Sequence, residues 1–253
     1  MTARRLPRRI FIVIPAVAGF FLVLFAIFTI WAADTLGPIA TIGDHVAPDD
    51  YTIIDGNLVF APQGDPKSVG IVLYPGAKVE PLSYGAYALG LAQDGYLVCI
   101  LDVAFHLAIF DADKAEDFIA LHPEIGSWYV GGHSMGGVAA AMYADDHRES
   151  VDGLILLGSY PAGSNDLSEA DLDVLSIYAE FDGLTLLSDI EASRALLPAD
   201  ATFEMITGGN HAGFGLYGAQ AGDGTAEISA LAQQTWMILS TLAFLEQSGS
   251  SAD

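Results

Sequence analysis

Cysteine and positive charge are both scarce in this sequence. Cys99 is the only cysteine, which excludes an intrachain disulfide and a zinc site built from several cysteines. Nine lysines and arginines stand against 32 acidic residues, and the formal net charge is −23 at pH 7. Such a chain has little affinity for the phosphate backbone, so we expect no nucleic acid partner. Because 52% of the residues are apolar and only 16% are charged, intrinsic disorder is also excluded.

Charge is absent altogether from residues 10–33, where Thr29 is the only polar side chain. At about 1.5 Å per residue, this run is long enough to cross a hydrocarbon core of about 30 Å. Basic residues that flank such a run stay on the cytoplasmic side. Four of them precede it: Arg4, Arg5, Arg8 and Arg9. The sequence therefore predicts a basic cytoplasmic arm (1–9), a single-pass transmembrane anchor (10–33) and an extracytoplasmic remainder.

A cleaved secretory signal peptide is the alternative for the N-terminal segment, because it has the same charged start. Its apolar stretch is usually about 7–15 residues long and ends in a small-x-small cleavage site. The longer run in this chain favours the anchor. We expect residues 34–49 to be a linker and residues 248–253 to be a flexible tail. No sequence feature indicates an oligomeric state.

From residue 50 onward, short β-rich runs alternate with amphipathic helical stretches. We predict strands at 51–54, 58–61, 69–74, 97–103, 128–131, 153–157, 174–179 and 202–206. We predict helices at 82–93, 113–121, 135–145, 187–197 and 225–247. Several strands, including 70–73 and 97–101, are apolar on both faces, which is typical of parallel strands covered by helices on each side. The pattern predicts an α/β domain over 50–247 with a doubly wound, mostly parallel sheet.

A possible nucleophile lies at residues 131–137, Gly-Gly-His-Ser-Met-Gly-Gly. Gly132-x-Ser134-x-Gly136 has the spacing of a nucleophile elbow, in which a serine stands on a strained turn between a strand and a helix. The spacing alone is weak evidence in a chain with 27 glycines. A predicted strand before it and an alanine-rich helix after it strengthen the assignment. The competing interpretation is a glycine-rich turn with an incidental serine.

A serine nucleophile needs a base, and the base needs a carboxylate that orients it. Asp182 follows the predicted strand 174–179, and His211 follows the predicted strand 202–206. The order serine, acid, histidine, with each residue one loop after a strand, is the order expected for this architecture. Glu180 remains an alternative acid. The other histidines fit this order less well, and we expect His133 to pack or hydrogen-bond beside the site.

These three motifs resemble those of the α/β-hydrolase superfamily. The similarity spans about residues 50–247 and is strongest to the compact, dienelactone-hydrolase-like branch of serine hydrolases. The resemblance implies an α/β-hydrolase fold with Ser134 as nucleophile, Asp182 as acid and His211 as base. True dienelactone hydrolases use a cysteine nucleophile, so their reaction does not carry over.

An oxyanion hole requires two backbone N–H donors. We expect one donor to be the amide of Met135, directly after the nucleophile. The second should come from the loop after strand 69–74, at Gly76 or Ala77, since Pro75 has no N–H. The His-Gly-Gly-Gly version of this loop that occurs in many esterases is absent.

The predicted activity is hydrolysis of small acyl esters through an acyl-enzyme, with no metal or organic cofactor. Residues 158–173, where interfacial lipases often carry a lid, are short and polar, so we expect an open pocket and small, soluble substrates. A thioesterase or a peptidase of the same fold remains open. From another class, a non-catalytic envelope protein that binds or scaffolds remains the alternative, although decayed sites usually lose a triad member.

Overall fold

The computed structural model describes the backbone of residues 10–250 and the side chains of residues 17–248. The arm predicted at 1–9 and the end of the tail predicted at 248–253 lie outside the described residues. Helix α1 spans Ile10–Ala32. Within the described part of the chain, no helix has the combined length and apolarity that crossing a membrane requires. The transmembrane anchor predicted at 10–33 is therefore not supported by the structure, and the side chains of 10–16 lie outside those described.

Residues from Thr35 onward form one compact unit around an eight-stranded sheet. Its strands are β1 (Thr52–Ile54), β2 (Asn57–Phe60), β3 (Val69–Tyr74), β4 (Leu97–Ile100), β5 (Ser127–His133), β6 (Gly153–Leu157), β7 (Asp173–Ala179) and β8 (Thr202–Ile206). The order across the sheet is β1-β2-β4-β3-β5-β6-β7-β8. Only the pairs β1–β2 and β2–β4 are antiparallel, while all pairs from β4 to β8 are parallel. The predicted mostly parallel sheet is confirmed.

Helices cover both faces of this sheet. They are α2 (Gly85–Gln93), α3 (Lys114–Ala120), α4 (Met135–Asp146), α5 (Leu187–Ser193) and α6 (Ala230–Ser250). Along β3, Ile71 and Leu73 enter the core that contains residues of α2 and α6, while Val72 and Tyr74 enter the core that contains residues of α3 and α4. Because successive side chains face opposite sides of a sheet, an uninterrupted apolar strand contributes side chains to the cores on both faces. The doubly wound arrangement is confirmed.

Several predicted segments differ from the structure at their ends. The strand predicted at 97–103 ends at Ile100, the last residue that pairs with β2 and β3. Phe105 and His106 then adopt positive φ angles of 57° and 55° in the turns that follow. The helix predicted at 187–197 ends at Ser193 and continues as a short 3₁₀ turn. The helix predicted at 225–247 begins only at Ala230, and the residues directly before it form a loop.

The segment predicted as a linker, 34–49, packs on the domain from residue 35 onward. Leu36 pairs with Val79 in an isolated parallel bridge, and the Ile39 amide donates to the Leu216 carbonyl at 2.8 Å. Val46 is buried. These contacts make the segment part of the compact unit.

Candidate active site

Ser134 occupies the sharp turn between β5 and α4. Its backbone angles are φ 53° and ψ −123°, a conformation that a residue with a Cβ rarely adopts. The Ser134 amide donates to the Leu157 carbonyl on β6 at 3.1 Å, which holds the turn against the sheet. Strain of this kind persists only where the surrounding structure enforces it, and it clusters at functional sites.

The flanking glycines are needed because main-chain segments meet at this turn. A Cβ on Gly132 would lie 2.6 Å from the Tyr74 carbonyl oxygen, and a Cβ on Gly136 would lie 2.1 Å from the same atom. A Cβ on Gly136 would also lie 2.5 Å from the carbonyl oxygen of Pro75. The loop after β3 therefore crosses directly over the start of α4, closer than any side chain permits.

Asp182 and His211 meet at the same edge of the sheet, since each follows a parallel strand. His211 Nδ1 lies 2.8 Å from Asp182 Oδ2, and both side chains are 1% exposed. Asp182 Oδ1 accepts the amides of Leu184 at 2.9 Å and Thr185 at 2.6 Å. With these amides donating to the carboxylate, the Nδ1 proton of His211 points at Asp182 and Nε2 carries the lone pair.

The Nε2 atom of His211 is the atom that a serine proton would reach. It is buried and has no hydrogen-bond partner in the described part of the chain. The structure thus joins Asp182 to His211 and leaves the Ser134 hydroxyl unbonded to the imidazole. In free enzymes this contact is often long and tightens when substrate binds.

Glu180, the alternative acid, is occupied elsewhere. Its Oε2 accepts the amide of Gly208 at 3.0 Å, at the base of the loop that carries His211. This arrangement favours Asp182 as the partner of the imidazole and gives Glu180 a role in holding that loop.

His133 lies beside His211. The two rings are 4.4 Å apart, and His133 Nδ1 lies 2.9 Å from the Tyr84 hydroxyl oxygen. Burial, reinforced by the neighbouring His211, holds the pKa of His133 well below its ordinary value. His133 is therefore neutral at pH 7 and adds no charge to the site. Among the described residues, no group of three or more His, Cys, Asp or Glu side chains is arranged to hold a metal ion.

The three predicted oxyanion donors differ in their surroundings. The Gly76 amide donates to the Tyr84 hydroxyl at 3.0 Å, and burial raises the pKa of that phenol, so it stays neutral. The amides of Met135 and Ala77 make no hydrogen bond within the described part of the chain. The Met135 amide opens α4, where the helix dipole favours negative charge. This geometry favours Met135 and Ala77 over Gly76 as the donor pair.

A pocket of about 330 Å³ opens at Ser134. Its lining is mainly apolar and comprises Ile109, Ser134, Met135, Val138, Ser159, Tyr160, Leu184 and Thr185. Exposed apolar side chains continue outward from it: Phe110 is 58% exposed and Leu186 is 50% exposed. The apolar rim therefore comes from the loops after β4 and β7. The segment 158–173 supplies only Ser159 and Tyr160 to the lining, so no lid covers the pocket from there.

Sequence reasoning missed the residues that hold the base loop. The Asn210 amide donates to Gln233 Oε1 at 3.1 Å, and Gln233 Nε2 donates back to the Asn210 carbonyl at 2.8 Å. Gln233 is fully buried although it lies on a helix rich in polar residues. The only signal for Gln233 in the sequence is its position on the buried face of α6. Because the helix contains many polar residues, this face is hard to recognise from the sequence.

Comparison with known proteins identifies relatives by family and by fold. A profile described as the alpha/beta hydrolase family matches residues 70–235. A comparison with curated protein sequences finds no match. One of the metagenome-derived lipolytic enzymes LipS and LipT is 14% identical, with a TM-score of 0.58, and the match covers 78% of this chain and 100% of that one.

Two further solved structures share the fold. A thermophilic esterase from Thermogutta terrifontis has a TM-score of 0.56 at 14% identity, covering 79% of this chain and 97% of its own. Est1E from Butyrivibrio proteoclasticus has a TM-score of 0.55 at 13% identity, covering 78% of this chain and 98% of its own. At these identities the likeness concerns the fold.

Proposed function

This chain belongs to the alpha/beta hydrolase family, and from that premise we propose that it is a serine hydrolase that cleaves small acyl esters. The observation that carries the proposal is the buried pair of His211 Nδ1 and Asp182 Oδ2, 2.8 Å apart, at the same sheet edge as the strained Ser134. The imidazole keeps Nε2 free on its other side. An oriented base and a serine on a strained turn are the two elements that acyl transfer requires.

In the proposed reaction, His211 Nε2 takes the proton of Ser134 as Oγ attacks the ester carbonyl. The amides of Met135 and Ala77 hold the resulting oxyanion, and each good donor is worth about 3–4 kcal/mol. His211 then returns the proton to the leaving alcohol, which leaves an acyl-Ser134. Water, deprotonated by His211, attacks that ester and releases the acid and free Ser134. Asp182 orients the imidazole throughout and stabilises its charged form.

The pocket supports an apolar acyl group of limited size. Its volume is about 330 Å³, and Ile109, Val138 and Leu184 line it. The esterase and lipolytic structures of similar fold favour an ester over an amide or a thioester as the scissile group. The acidic domain surface disfavours anionic substrates, so we propose neutral esters with short acyl chains.

A fluorophosphonate probe and p-nitrophenyl butyrate test this proposal. We expect one label per chain, on the peptide that contains Ser134, and no label in Ser134→Ala. Asp182→Asn should lower kcat by about 10⁴, the loss typical of a neutralised triad aspartate. Glu180→Gln is the matched control, because it neutralises a carboxylate two residues away that does not touch the imidazole. Glutamine keeps an oxygen that accepts the Gly208 amide, so the loop that carries His211 stays held and the variant should retain most of the activity.

The converse results would overturn parts of the proposal. If Glu180→Gln lost the activity and Asp182→Asn kept it, the acid would be Glu180. A folded protein that never takes the probe and hydrolyses no ester, thioester or peptide would be a binding protein on a hydrolase fold. Circular dichroism on each variant separates loss of chemistry from loss of structure.

We further propose that the N-terminal segment anchors the protein as a single-pass membrane protein with its hydrolase domain outside the cytoplasm. No helix in the described part of the chain meets the requirement for a span, so the support for this proposal comes from the sequence alone. It consists of the uncharged run of residues 10–33 and the arginines that precede it. A reporter that fluoresces only in the cytoplasm, fused after Asp253, should stay dark, and an exterior-active reporter should work. Bright cytoplasmic fluorescence would reverse the orientation, and a mature N-terminus near Asp34 would identify a cleaved signal peptide.

A further inference from the structure

Asp223 lies in the loop before α6, and its carboxylate collects backbone N–H groups from the catalytic loops. Oδ1 accepts the Gly183 amide at 3.1 Å and the His211 amide at 3.1 Å. Oδ2 accepts the Ala212 amide at 2.8 Å. Oδ1 also accepts the amide of Gly224, the next residue, at 2.7 Å. One side chain thus holds both the turn that carries Asp182 and the loop that carries His211.

We propose that Asp223 is a positioning residue that sets the distance between Asp182 and His211. Each hydrogen bond to its carboxylate within the described part of the chain comes from a backbone amide, so it acts through the backbone of its neighbours. The proposal rests on the proposed function for its kinetic consequence. The structural consequence, a fixed hydrogen bond between Asp182 and His211, does not depend on whether the protein catalyses a reaction.

The packing around Asp223 shows how closely the loops approach. A Cβ on Gly183 would lie 2.5 Å from the Gly222 carbonyl oxygen, and a Cβ on Gly224 would lie 2.0 Å from the Phe181 carbonyl oxygen. The two glycines therefore let the Asp223 loop lie directly against the acid turn. At this separation a carboxylate reaches amides on both sides.

A carboxylate suits this position because it only accepts hydrogen bonds. Four N–H donors point at its two oxygens, and an ionised carboxylate offers about four acceptor sites. Asparagine would keep one oxygen and turn a donating NH₂ group toward a backbone N–H. Alanine would leave all four amides without this partner. Because the amides belong to separate segments, their release lets the acid turn and the base loop move relative to each other.

Three substitutions test the proposal: Asp223→Ala, Asp223→Asn and Asp223→Glu. With p-nitrophenyl butyrate, we expect kcat of Asp223→Ala to fall about 10²-fold with little change in KM, the size expected for a displacement of about 1 Å at a catalytic group. Asp223→Asn should lose about tenfold, as for one hydrogen bond of about 1.4 kcal/mol. Asp223→Glu, which keeps the carboxylate, should recover part of the loss.

Asp152→Asn is the matched control. Asp152 Oδ2 accepts the Trp128 amide at 2.8 Å, which is also a carboxylate-to-backbone bond, but at the start of β5. Parallel strands place that end of the sheet opposite the catalytic edge. We expect kcat and KM of this variant to match those of the wild type.

A second readout does not depend on turnover. The proton between His211 Nδ1 and Asp182 should give a low-field ¹H NMR signal in the wild type and in Asp152→Asn. The signal should broaden or disappear in Asp223→Ala and Asp223→Asn. An unchanged signal together with kcat within twofold of the wild type in both Asp223 variants would overturn the proposal. If Asp223→Ala fails to fold, Asp223→Asn decides.

The two readouts separate the two proposals. If the wild type neither takes the fluorophosphonate nor hydrolyses esters, yet Asp223→Asn loses the low-field signal, the positioning role stands and the proposed function fails. If the wild type is active and the Asp223 variants keep both signal and kcat, the proposed function stands and the positioning role fails.

Discussion

Replacing Ser134 with glycine should make the protein more stable while removing the proposed nucleophile. The backbone at this position, φ 53° and ψ −123°, is strained for any residue with a Cβ and unstrained for glycine. Backbone conformations of this kind cost roughly 1–3 kcal/mol each. Ser134→Gly removes that cost, whereas Ser134→Ala removes the same hydroxyl but keeps the Cβ. The difference between the two variants therefore isolates the strain.

The expected size follows from two opposing contributions. Glycine relieves roughly 1–3 kcal/mol of strain but costs about 0.5–1 kcal/mol relative to alanine, because it loses more conformational entropy on folding. Ser134→Gly should therefore be more stable than Ser134→Ala by up to about 2.5 kcal/mol, with about 1 kcal/mol near the middle of the range. At an ordinary backbone position the sign is reversed, so the sign alone is diagnostic.

Urea unfolding of the full chain in mild detergent, followed by tryptophan fluorescence and circular dichroism, measures the difference. The matched control is the pair Ser127→Gly and Ser127→Ala at the start of β5, where φ is not positive. There the glycine variant should be less stable by about 0.5–1 kcal/mol. A lower stability of Ser134→Gly than of Ser134→Ala, as expected at Ser127, would refute the claim that the elbow stores strain.

Three further outcomes follow from buried groups of the domain. Gly136→Ala should lose about 1–3 kcal/mol of stability and most of the probe labelling, because its Cβ would lie 2.1 Å from a carbonyl oxygen. Gly163→Ala has open space around its Cβ and should match the wild type in urea unfolding. Equal stability of the two variants would contradict the steric argument. The pKa of His133 is lowered in the folded protein, so below about pH 6.5 its imidazole is protonated in the unfolded chain but stays neutral in the folded one. The free energy of unfolding therefore falls by up to about 1.4 kcal/mol per pH unit as the pH is lowered. His133→Asn should remove that share of the loss between pH 7 and pH 5, and identical losses in both proteins would disprove the assignment. Cys99 is buried and its thiol pKa is raised, so it should react with a thiol reagent only in denaturant, and fast reaction of the native protein would contradict its burial.

The order and type of the elements were predictable from the sequence because their signals are local. Uninterrupted apolar runs such as 70–73 indicate strands buried on both faces, and the alternation with helices then requires a parallel sheet. Parallel strands end at one edge, so Ser134, Asp182 and His211 were expected to converge before any contact was known. The structure brings Asp182 to 2.8 Å from His211 at that edge.

The identity of the groups that hold the site was decided by tertiary structure alone. Gly76 has the position in sequence of an oxyanion donor, yet its amide donates a hydrogen bond to the hydroxyl of Tyr84 on the neighbouring turn. Asp223 follows Gly183 by 40 residues, and nothing in the spacing shows that its carboxylate reaches the loops that carry Asp182 and His211. The sequence determined which side chains could meet at the edge of the sheet, because the succession of strands and the residues that follow each strand are read directly from the chain. Which amide meets which oxygen within 3 Å depends on how loops from distant parts of the chain pack together, and only the folded molecule decides that.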